Sequence, residues 1–145
     1  MKKETNWDKR YMELAKHVST WSKDPSTQVG AVIVGRPGEV SLGYNGFPRG
    51  VADLPERLCN KQLKYKFTQH AERNVLDNTR FDVTGATVYV TMFPCSECAK
   101  SIISKGIARV VCPPPVLYPP WSQDSDYTLQ MFSEAGIYLE YFEEK

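Results

Sequence analysis

The chain has 145 residues, 41% hydrophobic, 12% aromatic and 24% charged, which fits one domain over residues 1–145 with a real hydrophobic core. Its formal net charge of +1 argues against a general nucleic-acid binder, so no nucleic-acid partner is expected. No apolar run approaches membrane-spanning length, and residues 1–6 lead into an amphipathic segment, not an apolar signal core; a cytoplasmic location away from membranes is expected.

Trp7, Tyr11, Leu14, Ala15, Val18 and Trp21 recur at helical spacing, with Arg10, Glu13, Lys16, His17 and Thr20 on the other face. This predicts an amphipathic helix packed on a sheet, with His17 in a solvated pair with Glu13. Ser22–Thr27 breaks the helix at Pro25, since proline cannot continue it. Val29–Val34, nearly all apolar, reads as a strand covered on both faces. Arg36–Glu39 is a turn, and Val40–Asn45 the returning strand of a hairpin. From Gly46 to about Gln69 the chain is irregular, with one or two helical turns compatible with Pro55–Leu63. Loops of that length in compact domains are usually functional. Arg49, Arg57, Lys61, Lys64 and Lys66, set among Tyr65 and Phe67, read either as a solvated loop or as a basic rim over an anionic substrate.

Ala71–Asp77 has a helical pattern with Val75 and Leu76 facing inward, and Thr87–Met92 is a strand rich in β-branched residues. Ser96–Lys105 is the next helix, buried through Ala99, Ile102 and Ile103 and ended by Gly106 as a C-cap. Ala108–Cys112 is a strand that a right-handed crossover makes parallel to the preceding one. Five prolines between Pro113 and Pro120 stiffen a loop that runs to Trp121. A helix over about Ser125–Ala135 and a strand over Ile137–Phe142 complete the chain. The expected fold class is α/β, a three-layer α-β-α sandwich around a mixed five-stranded sheet.

The four cysteines are Cys59, Cys95, Cys98 and Cys112, and a disulfide framework would be unusual without an export signal. Cys95-x-x-Cys98 suits a metal or a redox dithiol. A thioredoxin-like dithiol normally follows a first strand near the N-terminus. Here the pair follows the third strand and has His70-Ala71-Glu72 upstream, which favours a metal. Catalytic zinc sites commonly use three protein ligands and keep the fourth position for water. His70, Cys95 and Cys98 supply three, leaving Glu72 to move protons. Attack of hydroxide on an amidine-type carbon requires a proton on the ring nitrogen and then on the leaving amine. The pairing of H-x-E with P-C-x-x-C is the signature of zinc-dependent base deaminases. Helices opening at Ala71 and Ser96 would point unpaired N–H groups at the anionic centre and favour thiolate at both cysteines. A closed structural knuckle would need a fourth protein ligand from His17, Cys59 or Cys112, none of which has partner-like spacing.

Through Ser22–Ala31, Gly43-Tyr44-Asn45-Gly46, His70-Ala71-Glu72 and Pro94–Lys100, the sequence resembles the cytidine deaminase superfamily. Within it, the match is to the deoxycytidylate (dCMP) deaminases, from about Ser22 to Gly136. The resemblance implies a cytidine deaminase-like fold and one catalytic Zn2+ per subunit on His70, Cys95 and Cys98. Glu72 would be the proton shuttle, and dCMP plus water would give dUMP plus ammonia, feeding thymidylate synthesis. Asn45 would contact the sugar and the Ala71 backbone the pyrimidine ring. Ser26, in the first motif, and Trp121, at the end of the proline-rich loop, complete the substrate-binding candidates; Tyr118 is a further residue placed to cap the base or the phosphate side.

Regulated members bind dCTP as activator and dTTP as inhibitor around a Gly-Tyr-Asn-Gly turn at a subunit interface. Gly43, Tyr44, Asn45 and Gly46 are therefore allosteric candidates, Mg2+ would accompany a triphosphate effector, and a homo-oligomer, a hexamer, is expected. The same turn reads equally well as a wall of the substrate pocket. Some members carry a second, structural zinc in the insert before His-Ala-Glu; with only Cys59 there, none is expected. The loop Pro113–Trp121 departs from the family's usual forms and follows a strand end, where pocket walls are built in open α/β sheets. It leaves dCTP or a 5-substituted dCMP open as substrate. A tRNA adenosine deaminase would normally show a glycine-containing stretch after the second zinc cysteine and a strongly basic surface, unlike Ala99-Lys100-Ser101 and a net charge of +1. A non-catalytic zinc-binding scaffold would have no use for Glu72.

Overall fold

The computed structural model describes residues 7–118 and 121–143, Trp121 by its backbone alone. In chain order the elements are α1 (Trp7–Ser19), β1 (Gly30–Val34), β2 (Val40–Tyr44), α2 (Pro55–Leu58), α3 (Lys61–Phe67), α4 (Ala71–Asn78), β3 (Thr87–Val90), α5 (Ser96–Ser104), β4 (Arg109–Cys112), α6 (Trp121–Ala135) and β5 (Tyr138–Tyr141). The strands form one five-stranded sheet in the order β2-β1-β3-β4-β5. β1 is antiparallel to β2 and β3, while β3, β4 and β5 run parallel, so the sheet is mixed as expected. No helix among the described residues is long and apolar enough to cross a membrane.

The period of two along each strand sorts its side chains to two helical layers. Ala31, Ile33, Val88, Val90, Val110 and Cys112 face the layer of α4, α5 and α6, where they meet Ala71, Val75, Ala99, Ile102 and Phe132. Val32, Tyr89 and Val111, the intervening residues, meet Met12 and Ala15 of α1 on the other face. The three-layer sandwich follows directly.

α1 is rotated from the stripe its sequence suggests. Met12, Ala15 and Val18 are its buried residues, whereas Trp7 and Trp21 stay 54% and 46% exposed. Trp7 instead stacks on Tyr11, whose ring lies against Tyr89. His17 sets its ring edge-on to Trp21 at 5.6 Å. The close approach of α1 is allowed by Gly30, where a Cβ would overlap the Ala15 carbonyl oxygen.

The insert before α4 is more helical than its pattern suggests. Asn60 caps α3 by accepting the Leu63 N–H at 3.1 Å, and the helix runs on to Phe67. Its basic residues do not all form a rim. Lys64 is buried, and its Nζ lies 2.9 Å from Asp24 Oδ1, an oxygen that also accepts the Ser26 and Thr27 N–H groups. Burial pushes the Asp24 carboxyl up, but those two backbone donors and the Lys64 ammonium outweigh it and hold it below the usual range. Because the folded pKa is depressed, this contribution to stability is full above the unfolded Asp pKa and is lost as pH falls through the folded one. Lys64→Met should therefore cost about 3 kcal/mol at neutral pH by leaving Asp24 without its cation. The loss should shrink in acid, which denaturant melts of both proteins at pH 7 and pH 3 would read; an equal loss at both would remove the ion pair as its cause.

Candidate active site

His70 is the N-cap of α4 and Cys95 the N-cap of α5, yet neither side chain caps its own helix. Both are turned toward each other instead. His70 Nδ1 lies 3.3 Å from Cys98 Sγ and 3.5 Å from Cys95 Sγ, and all three candidate ligand atoms fall within 4.8 Å of one another. A tetrahedral zinc with Zn–N about 2.0 Å and Zn–S about 2.3 Å spaces its nitrogen and sulfur ligands at roughly 3.5 Å. Both His70–cysteine spacings match such an ion. Among the described residues no fourth His, Cys, Asp or Glu joins the group.

The donor chemistry agrees. Hydrogen bonds from Cys98 and His70 outweigh burial and hold the Cys95 thiol well below its usual range, which favours the thiolate a metal would need. Its proton-sharing partner Cys98 is pushed up, by that hydrogen bond and then by burial. The Cys95 hydrogen bond raises His70. Cys98 is fully buried, Cys95 half-buried and His70 exposed, so the cluster is open to solvent on the His70 side.

Glu72, in the first turn of α4, is 5% exposed beside this cluster with Cys98 as a hydrogen-bonding neighbour. Burial pushes its carboxyl up to about 7, against the pull of its own backbone N–H and of His70. Beneath it, burial and then the Glu72 charge push the Cys112 thiol up to about 12; Cys112 is a core residue at the end of β4.

The chain matches the family described as the cytidine and deoxycytidylate deaminase zinc-binding region over residues 5–113. It belongs to that family. A deaminase of Aliivibrio fischeri, described as uncharacterized and placed in the luxG 3' region, is 42% identical over 135 residues, which are 92% of this chain and 91% of that protein. Human deoxycytidylate deaminase is 43% identical over 112 residues, covering 72% of this chain; the match spans 63% of the human protein's length. Among solved structures, dCMP deaminase from the cyanophage S-TIM5 in complex with dCMP and dUMP superposes with a TM-score of 0.75 at 25% identity, covering 98% of this chain and 99% of that one. The α/β fold is that of this family's dCMP deaminases.

The other candidates are placed in different ways. Ala71 is buried in the first turn of α4, directly between His70 and Glu72. Asn45 is 6% exposed and its amide is committed to the chain: Oδ1 accepts the Val29 N–H at 2.8 Å and Nδ2 donates to the Thr27 carbonyl at 2.9 Å. Ser26 is exposed on the loop that Asp24 and Asn45 hold. Gly46 pairs with Gln69 in a reciprocal bridge, which brings the turn next to His70. Gly43 lies in β2 against the backbone of Val75, and Tyr44 is half-exposed beside Trp21. Tyr118 is 65% exposed, and the Trp121 side chain lies outside the described residues. α6 begins at Trp121, four residues ahead of the expected Ser125, with Ser122 N–H donating to the Tyr118 carbonyl. Asp124 is thus helical, and it bonds the turn that carries Cys95. Asn74 was also missed: its Nδ2 donates to the carbonyls of Tyr44 and Gln69, tying α4 to the turn.

Proposed function

We propose that this chain is a zinc-dependent deoxycytidylate deaminase, hydrolysing dCMP to dUMP and ammonia and so supplying the substrate of thymidylate synthesis. The observation that carries the reading is one buried carboxylate, Glu72, set against three ligand atoms at tetrahedral spacing in a solvent-open site. The kinship with human deoxycytidylate deaminase and the dCMP- and dUMP-bound cyanophage enzyme supports the choice of substrate.

His70 Nδ1, Cys95 Sγ and Cys98 Sγ would hold the zinc. When bound, zinc supplies a Lewis acid that makes water acidic near neutral pH. Glu72 would accept one proton from the attacking water and deliver it to the ring nitrogen, then carry the second proton, released as the C4 hydroxyl becomes a carbonyl, to the departing amine. In net terms the bond from C4 to the amino nitrogen breaks and C4 gains the water oxygen as a carbonyl, while one of the water's two protons ends on the ring nitrogen and the other on ammonia. The Ala71 backbone borders the pyrimidine ring. Asn45 braces the 27–29 loop through its side chain and would border the sugar, with Ser26 at the loop surface and Trp121 as further substrate candidates.

Regulation belongs to the same proposal. Tyr44, half-exposed beside Trp21 on the edge strand β2, would meet a triphosphate with its Mg2+ together with Gly43, Asn45 and Gly46. A homo-oligomer, a hexamer, would cover such edges. Purified protein given dCMP should lose cytosine absorbance, with CMP, dCTP and 5-substituted dCMP slower and adenosine inert. In the same assay dTTP should slow dCMP turnover and dCTP restore it. A zinc-loaded protein inert toward dCMP would overturn the substrate, and velocities indifferent to both triphosphates would overturn the regulation.

A further inference from the structure

The turn that carries Cys95 is gripped from α6. A helix leaves its first-turn N–H groups without intrahelical partners, and they need acceptors from elsewhere. Cys95, the N-cap of α5, makes no cap bond, because its sulfur is turned to His70. Asp124 supplies the acceptors instead: Oδ2 takes the Ser96 N–H at 3.0 Å and Oδ1 takes the Ser96 hydroxyl at 2.6 Å. Four residues on, the fully buried Thr128 donates its hydroxyl to the Pro94 carbonyl at 3.1 Å. One bond holds the residue before Cys95 and the others hold the residue after it. A further four residues along the same face of α6, Phe132 is 1% exposed in the core with Ala99 and Ile102 of α5. The stripe Asp124, Thr128, Phe132 therefore seats α6 on α5 at one end and on the ligand-bearing turn at the other.

We propose that Asp124 and Thr128 are positioning residues for the metal centre: from α6 they fix the orientation of Cys95 Sγ and thereby set the affinity for zinc. This rests on the reading of His70, Cys95 and Cys98 as zinc ligands. A bond to a charged acceptor is about twice as strong as a neutral one, so Asp124 carries the larger part. Without it the Ser96 amide loses its acceptor and the 94–96 turn gains freedom, which zinc must then remove on binding. Partners that orient metal ligands typically contribute about 10- to 100-fold in affinity.

Zinc competition against a chromophoric chelator, with melting temperature measured alongside, tests this on the purified full chain. Asp124→Ala should weaken zinc about 10- to 100-fold. Asp124→Asn, which keeps an acceptor for the Ser96 N–H, should recover most of that. Thr128→Val should weaken zinc by a smaller factor, and it carries the test should Asp124→Ala fail to fold. Phe132→Leu, which loosens α6 away from the turn, should lower the melting temperature and leave zinc affinity alone. Zinc held within twofold of wild type by both Asp124→Ala and Thr128→Val would overturn the proposal, as would Phe132→Leu weakening zinc as much as they do. A wild-type chain that binds no zinc would overturn the ligand reading together with this one, which separates the two failures.

Discussion

Glu72→Gln should leave zinc content unchanged and lower kcat for dCMP by about a thousand-fold. The substitution keeps the volume and the hydrogen-bonding reach of a side chain that is 5% exposed, and removes only its proton chemistry. A single general acid–base contributes about 10²- to 10⁴-fold, and Glu72 is asked to act at more than one proton transfer. Burial also works against its ionised form, as the carboxyl pushed up to about 7 shows, so the neutral amide should not lower the melting temperature. The expected signature is a folded, zinc-loaded, inactive protein, and zinc stripped from the wild type by chelator should abolish the same activity until it is restored. Turnover near the wild-type rate in Glu72→Gln would take Glu72 out of the proton path while leaving the metal reading intact.

Glu72 and its neighbours were legible because their spacing is local. His70 and Glu72 are two residues apart at one helix start, and Cys95 and Cys98 three apart at another, so short sequence motifs encode the geometry that the fold then brings together. The strands were legible for a similar reason: their apolar runs feed two helical layers, and alternation sorts Val32 from Ile33 and Tyr89 from Val88. What stayed hidden depends on partners far along the chain. Lys64 reads as a loop cation until Asp24, 40 residues earlier, is placed beside it. Asp124 reads as the tail of a proline-rich loop until α6 sets it against Ser96, 28 residues away. Met12 belongs to the core because Trp7 and Tyr11 stack at the helix edge, a choice that helical spacing alone does not make.

Gly43→Ala should cost about 3 kcal/mol or more and weaken zinc binding with it. Gly43 is buried in β2, paired with Ala31, and its missing side chain faces α4. A Cβ there would sit 2.5 Å from the Val75 nitrogen and 2.7 Å from its Cα, which are backbone atoms and cannot rotate aside. The strand and helix must separate instead. α4 has His70 as its N-cap residue and carries Glu72, and it is tied to β2 by Asn74 Nδ2 donating to the Tyr44 carbonyl at 2.7 Å, so the displacement passes to the metal ligand and the proton shuttle together. Tyr44→Ala, at a side chain 39% exposed, should instead leave both the melting temperature and zinc affinity nearly unchanged. The pair of variants separates two roles of the Gly43–Gly46 turn. If the turn shapes the pocket, Gly43→Ala loses stability, zinc and dCMP turnover together. If it serves only an effector, Gly43→Ala keeps all three and loses the response to dTTP, an outcome that the contact with the Val75 backbone argues against.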